Sequence, residues 1–335
     1  MRRPPLVAIV SFLLLALSAL TMTAGAQGVQ WRDITIAQAL AEAAQTNKMI
    51  LISAHSVHCG QCSEMEADLW NTPQGAHLAD GMIPISIDTM GPQGAALQSR
   101  YPVTGLPCTI FITPDGKEVD RVVGYPSQAE FLQDAMPLKE GYDPLPGMEE
   151  TLQAHPDSLP LMNPILERYL NRQRESDAKA LLPRVLQLDP ENRAGQSERA
   201  LMLLARYAMF VSSDMQQTMD YWKTLLDRFP ISSMAGAAID GSMKAATALG
   251  QMRPWTDWLI GILEKQPQNG RLQYAAAMTA HKAGLHDPRF AKAARTARSL
   301  GVGGAFLDSI AVQLEGGPRP AGAPGSPSTP EDRKH

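Results

Sequence analysis

Between residues 48 and 123 the chain alternates short, almost wholly apolar runs with polar stretches whose apolar members keep helical spacing. Lys48–Ala54 (KMILISA), Met82–Asp88 (MIPISID) and Pro107–Ile112 (PCTIFI) read as strands buried on both faces, with Lys117–Val123 as a fourth. Helical spacing predicts a helix over 31–46, where Thr35 and Gln38 form a capping box and Ile36, Ala39, Leu40 and Ala43 share one face. Further helical stretches are expected over Gly60–Trp70 and Gln93–Tyr101. Another opens at the box of Ser127 and Glu130 and runs to about Ala135. Thr113-Pro114-Asp115-Gly116 has the composition of a hairpin turn. The order α-β-α-β-α-β-β-α predicts an α/β domain with parallel pairs and one antiparallel hairpin.

Residues 137–147, with Pro137, Gly141, Pro144, Pro146 and Gly147, read as a linker between domains. From 148 onward only helical patterns occur, and they repeat. Helical segments run into Pro156, Pro190, Pro230 and Pro267, spaced 34, 40 and 37 residues apart, and the next interval leads to Gly301-Val-Gly-Gly304. Proline ends a helix because it lacks an N–H and restricts the residue before it. Such a period suits two helices and two turns per repeat. The segments over 148–315 look like tetratricopeptide repeats, loosely, because the usual aromatic and small-residue positions drift. Stacked helical hairpins make extended concave surfaces, so a protein-binding role is expected for this all-α domain. Residues 316–335, rich in Gly, Pro, Ser and charge, read as a disordered tail.

The first residues change the picture of where the chain works. Arg2 and Arg3 precede an apolar run from Leu6 to Leu20, and Ala24-Gly25-Ala26 offers a small-x-small cleavage site. That is the order of a secretory signal peptide over 1–26, leaving an α/β domain over 27–136. The apolar run is short for a bilayer span and no charged flank follows it, so no stable membrane insertion is expected. The expected location is outside the cytoplasm, periplasmic or secreted. The net charge is −4, and cleavage would remove two cations and no acid. No basic patch stands out, which argues against nucleic acid as a partner.

Three cysteines occur, at 59, 62 and 108. Cys59 and Cys62 close too short a loop to constrain much chain entropy, so reactivity explains the pair better than stability. They flank Gly60-Gln61 where a buried strand meets a helix. A helix N-terminus presents unpaired N–H groups and the positive end of the dipole, both favouring a thiolate. Cys59 is then the attacking thiol. Cys62, one turn on, resolves the mixed disulfide.

With these motifs in place, residues 31–136 resemble the thioredoxin superfamily. They are nearest in style to exported thioredoxin-like domains such as the periplasmic C-terminal domain of the transmembrane thiol:disulfide interchange reductase. The strand KMILISA before the motif, the strand ending at Asp88, Val103-Thr-Gly-Leu-Pro107 before CTIFI, the Asp115-Gly116 turn and Val123-Gly124 carry the likeness. The resemblance implies that Leu106–Pro107 is cis and packed against the cysteines, and that the Leu106 backbone offers edge hydrogen bonds to a substrate strand. It also implies protein substrates or a protein redox partner and no cofactor.

Several positions depart from the family's pattern. Ser53 stands where a buried acid often helps move protons, and a serine is no general base at neutral pH. His58 replaces a tryptophan, and Gly60-Gln61 replaces Gly-Pro. A cationic His58 would stabilise the Cys59 thiolate; an exposed loop histidine would do little. His55, His58, Cys59 and Cys62 also suit a metal, but the fold already explains the cysteines, so no metal is expected. Cys108 reads as a small buried hydrophobe or a third redox thiol. Trp222, Trp255 and Trp258 read as repeat core. The reading is an exported thiol–disulfide oxidoreductase with a helical binding module. The alternatives are a non-catalytic thioredoxin-like scaffold and a metal chaperone.

Overall fold

The computed structural model describes residues 28–317, in two compact units that divide between Asp143 and Pro144. The expected signal peptide, and the expected tail from 318 onward, lie outside the described residues.

In the first unit, α1 (Ile36–Thr46) begins at its capping box, later than the 31–46 expected. The Arg32 N–H instead donates to the carbonyl of Pro84, so the chain before Thr35 runs extended. Strand β1 (Ile50–His55) leads into α2 (Gly60–Met65), which continues as a π-helical turn over Glu66–Trp70. A helix the periodicity did not reveal follows, α3 (Pro73–Ala79). Its start is nevertheless written in Thr72-Pro73: the threonine caps the Gly75 N–H and proline takes the first turn. Then come β2 (Ile83–Asp88), α4 (Gly94–Arg100), β3 (Cys108–Ile112), β4 (Glu118–Val123) and α5 (Gln128–Lys139). Helix α5 runs past Ala135 and includes Pro137, so the stretch expected as linker begins inside a helix.

The four-stranded sheet has the order β2-β1-β3-β4. Only β1 and β2 are parallel; β1–β3 and β3–β4 are antiparallel. The expectation of parallel pairs with a single hairpin thus gives one antiparallel pair too few. After α4 the loop 101–107 returns the chain along the other side of β1 and in the opposite direction.

Alternation along the strands sends side chains to two cores. Ile50, Ile52 and Ala54 join Ile83, Ile85, Ile110 and α1 on one face. Leu51 and Phe111 join Met65, Leu69, Trp70, Leu78 and Phe131 on the other. Trp70 anchors this second core, edge-on to both Trp31 and Phe131 at 5.3 and 5.9 Å between centroids. The cysteine-bearing helix is therefore fixed from beneath by apolar packing.

The second unit is helical throughout its described residues: α6 (Leu145–Ala154), α7 (Leu159–Asn171), α8 (Glu175–Leu188), α9 (Gln196–Phe210), α10 (Met215–Arg228), α11 (Ala235–Ala248), α12 (Met252–Lys265), α13 (Gly270–Lys282), α14 (Pro288–Ser299) and α15 (Phe306–Leu314). Pro156, Pro190, Pro230, Pro267 and Gly301 follow α6, α8, α10, α12 and α14, so each interval holds one helix pair. Trp222 and Trp255 are buried in this core, whereas Trp258 is half-buried and donates to Asp227. None of the described helices is long and apolar enough to cross a membrane.

Candidate functional site

Cys59 is the N-cap of α2, in extended backbone, and its Sγ accepts the N–H of Cys62 at 3.2 Å. Its own N–H donates to the carbonyl of Ser56, and its carbonyl accepts from Cys62 and Ser63. The helix end thus directs one N–H, that of Cys62, shared with the Cys59 carbonyl, toward this sulfur, and a helix N-terminus favours thiolate over thiol. Cys59 is half-exposed, while Cys62 is only 7% exposed; the two are joined in a disulfide with 5.2 Å between Cα atoms. The accessible sulfur is the one available to attack, and the shielded one follows within the helix.

Behind the pair lies an open pocket of about 320 Å³, lined among others by Ser53, His55, Cys62, Glu66, Trp70 and Pro107. Strand alternation explains why Ser53 and His55 share it: both lie on the face of β1 that α2 covers. Ser53 is 4% exposed and pairs in register with Thr109. The Thr109 Oγ1 is fully buried and has no hydrogen-bond partner among the described residues. Glu66 lies four residues beyond Cys62 and begins the π turn that the Asn71 N–H closes onto the Glu66 carbonyl. Such insertions bend a helix where geometry matters locally.

The Leu106–Pro107 bond is cis, the geometry that the resemblance implied. Pro107 is buried and its carbonyl accepts from Gly124 at 2.8 Å, while Leu106 is half-buried against the core of the opposite sheet face. The loop leading to it is held by Arg121. This buried guanidinium donates to the Pro102 carbonyl and to both oxygens of Glu118. Burial disfavours the Arg121 charge, yet the Glu118 carboxylate overrides it and raises the guanidinium's pKa above its ordinary value.

The structure does not gather every sequence-expected residue. Ser53, Cys62 and Pro107 meet at the pocket. His58 is exposed, and its backbone N–H, donating to Ser56 Oγ, is its one described hydrogen bond. Gln61 is exposed, and a side chain at Gly60 would meet open space. Cys108 is buried on the face of the sheet opposite to Ser53, among Ile52, Ile110 and their neighbours, so its surroundings are those of the core. No group of three or more His, Cys, Asp or Glu is placed to hold a metal among the described residues. Sequence reading treated His55 only as a metal ligand and passed over Glu66. The signals were present as β spacing from Ser53 and a four-residue step from Cys62.

The sequence model of the thioredoxin-like domain family matches residues 36–134. Among solved structures, the chain is similar to a protein titled DsbH oxidoreductase, at 23% identity over 34% of this chain and 87% of that one, with a TM-score of 0.31. It is also similar to a thioredoxin from Thermus thermophilus, at 29% identity over 33% of this chain and 88% of that one, with a TM-score of 0.30. No curated protein sequence matches the chain.

Proposed function

Since residues 36–134 form a thioredoxin-like domain, we propose that the chain is a thiol–disulfide oxidoreductase acting on protein cysteines through Cys59-Gly60-Gln61-Cys62. The observation that carries this reading is the asymmetry of the pair. A half-exposed sulfur sits at a helix N-cap, and a shielded sulfur lies one turn behind it. In the reducing direction, the Cys59 thiolate attacks a client disulfide and one client sulfur leaves. Cys62 then attacks Cys59, closing the intramolecular disulfide and releasing the second client sulfur. The client gains two electrons and the pair loses two. Pro107, which lines the same pocket as Cys62, and Leu106 before it would shape the edge on which a client segment lies.

The location belongs to the same proposal. The leader-like residues 1–26 support export, to the periplasm or beyond, where disulfides form and persist. The helical repeats would hold clients or a redox partner, a role supported by the general use of stacked hairpins as binding surfaces.

Ser53 favours a second reading, a thioredoxin-like binding protein without turnover, since no acid stands behind the cysteines on β1. Insulin reduction by the full chain and by its Cys59→Ser variant separates the two. Turnover in the first and none in the second is expected. Equal, negligible rates would leave the binding role alone.

A further inference from the structure

We infer that His55 relays the proton that Cys62 must lose before it can resolve a mixed disulfide, through water held in the pocket behind the pair. This rests on the oxidoreductase reading. Cys62 is only 7% exposed, so its direct contact with bulk solvent is slight. The side chain directly beneath, Ser53, is no base. The next residue outward on the same strand face is His55, half-exposed and lining the same pocket as Cys62 and Ser53. The strand face thus runs from buried Leu51 through Ser53 to His55 at the solvent edge.

The pocket can carry the proton. At about 320 Å³ it has room for several waters, each needing roughly 30 Å³. Water there would find polar partners among the lining side chains of Ser53, His55 and Glu66. The His55 backbone is fixed, since its carbonyl accepts both the N–H and the Oγ1 of Thr89. Two acids lie on the elements around His55. Glu66 lines the same pocket from the helix, and Asp88 is the register partner of His55 on β2. Glu66 is the rival relay. An imidazole matches a thiol as proton acceptor far better than a carboxylate does, which favours His55.

The step balances as follows. The Cys62 thiol gives its proton through water to the His55 imidazole. The Cys62 thiolate attacks the Cys59 sulfur; the Cys59–Cys62 bond forms and the Cys59–client bond breaks. The client sulfur leaves with the electron pair of that bond and takes up a proton.

The test is a single turnover of the reduced full-length chain with oxidised glutathione, quenched in acid and read by mass spectrometry across pH. Wild type, His55→Asn and Glu66→Gln are compared. In His55→Asn the glutathione adduct on Cys59 should form at the wild-type rate. It should close roughly a hundredfold more slowly at neutral pH, and added imidazole should restore closure. Closure at the wild-type rate throughout the pH range overturns the relay. So does a loss that imidazole does not rescue, or one confined to Glu66→Gln. If wild type itself gives neither the adduct nor the Cys59–Cys62 disulfide, the oxidoreductase reading fails and the relay falls with it.

Discussion

At the residue scale, local charge and hydrogen bonding make two checkable statements outside the cysteine pair. Asp115, in the turn between β3 and β4, accepts from the Thr113 hydroxyl and pairs with Lys117 at 3.0 Å. These contacts, Thr113 first, lower its carboxyl to a pKa of about 2. A folded-state value below the unfolded one stabilises the fold above the ordinary carboxylate range. The contribution is lost as pH falls through the folded value. The difference in thermal midpoint between wild type and Asp115→Asn should therefore shrink steadily from pH 5 to pH 2. A constant difference would mean the carboxylate contributes no charge-dependent stability. Arg121 makes the stronger demand. Its side chain and that of Glu118 are 1% and 8% exposed, so removing one partner strands a buried charge. Arg121→Met should cost about 3–5 kcal/mol in denaturant unfolding, and the double change with Glu118→Leu should recover much of it. No recovery in the double variant would show that the guanidinium matters through the Pro102 carbonyl instead.

At the element scale, the legible features were those with a short-range physical cause. The caps at Thr35 and Ser127 place helix starts correctly, because the bond each makes is local; Thr35 and Gln38 close the full box, while at Ser127 the Glu130 carboxylate accepts from the hydroxyl. The proline punctuation gave the helix pairs for the same reason. What stayed hidden depended on distant contacts. The antiparallel pairing of β1 with β3 is set by the return of loop 101–107, which no spacing encodes. The π turn after Met65 and the extension of α5 through Pro137 reflect packing that overrides local preference. Helix α8 shows such an override with a measurable cost. Pro183 lies exposed in its interior, where proline removes a backbone hydrogen bond. Pro183→Ala should stabilise the chain by about 1–3 kcal/mol in denaturant melts. An unchanged or lowered midpoint would show that the helix is bent to suit its neighbours. Helix α11 sets the opposite limit. A Cβ at Gly241 would clash with the Trp222 indole, so Gly241→Ala should lower the thermal midpoint, and a wild-type midpoint would contradict that packing.

At the scale of the whole molecule, two units with separate cores divide at Asp143, and the proposed chemistry lies in the first. The fold around the cysteines was legible because buried strand, cysteine pair, helix and downstream proline occur together in a fixed order. The pocket was not, because Ser53, His55, Glu66 and Pro107 are gathered only when β1, the helix and loop 101–107 are assembled. The central claim is that Cys59 is the nucleophile toward protein disulfides and Cys62 the residue that releases them. It is tested most directly by incubating the reduced full-length Cys62→Ser variant with a disulfide-bonded protein and mapping the adducts by non-reducing mass spectrometry. A stable mixed disulfide on Cys59 that wild type does not accumulate is expected. No adduct, or one carried by Cys108, would contradict it.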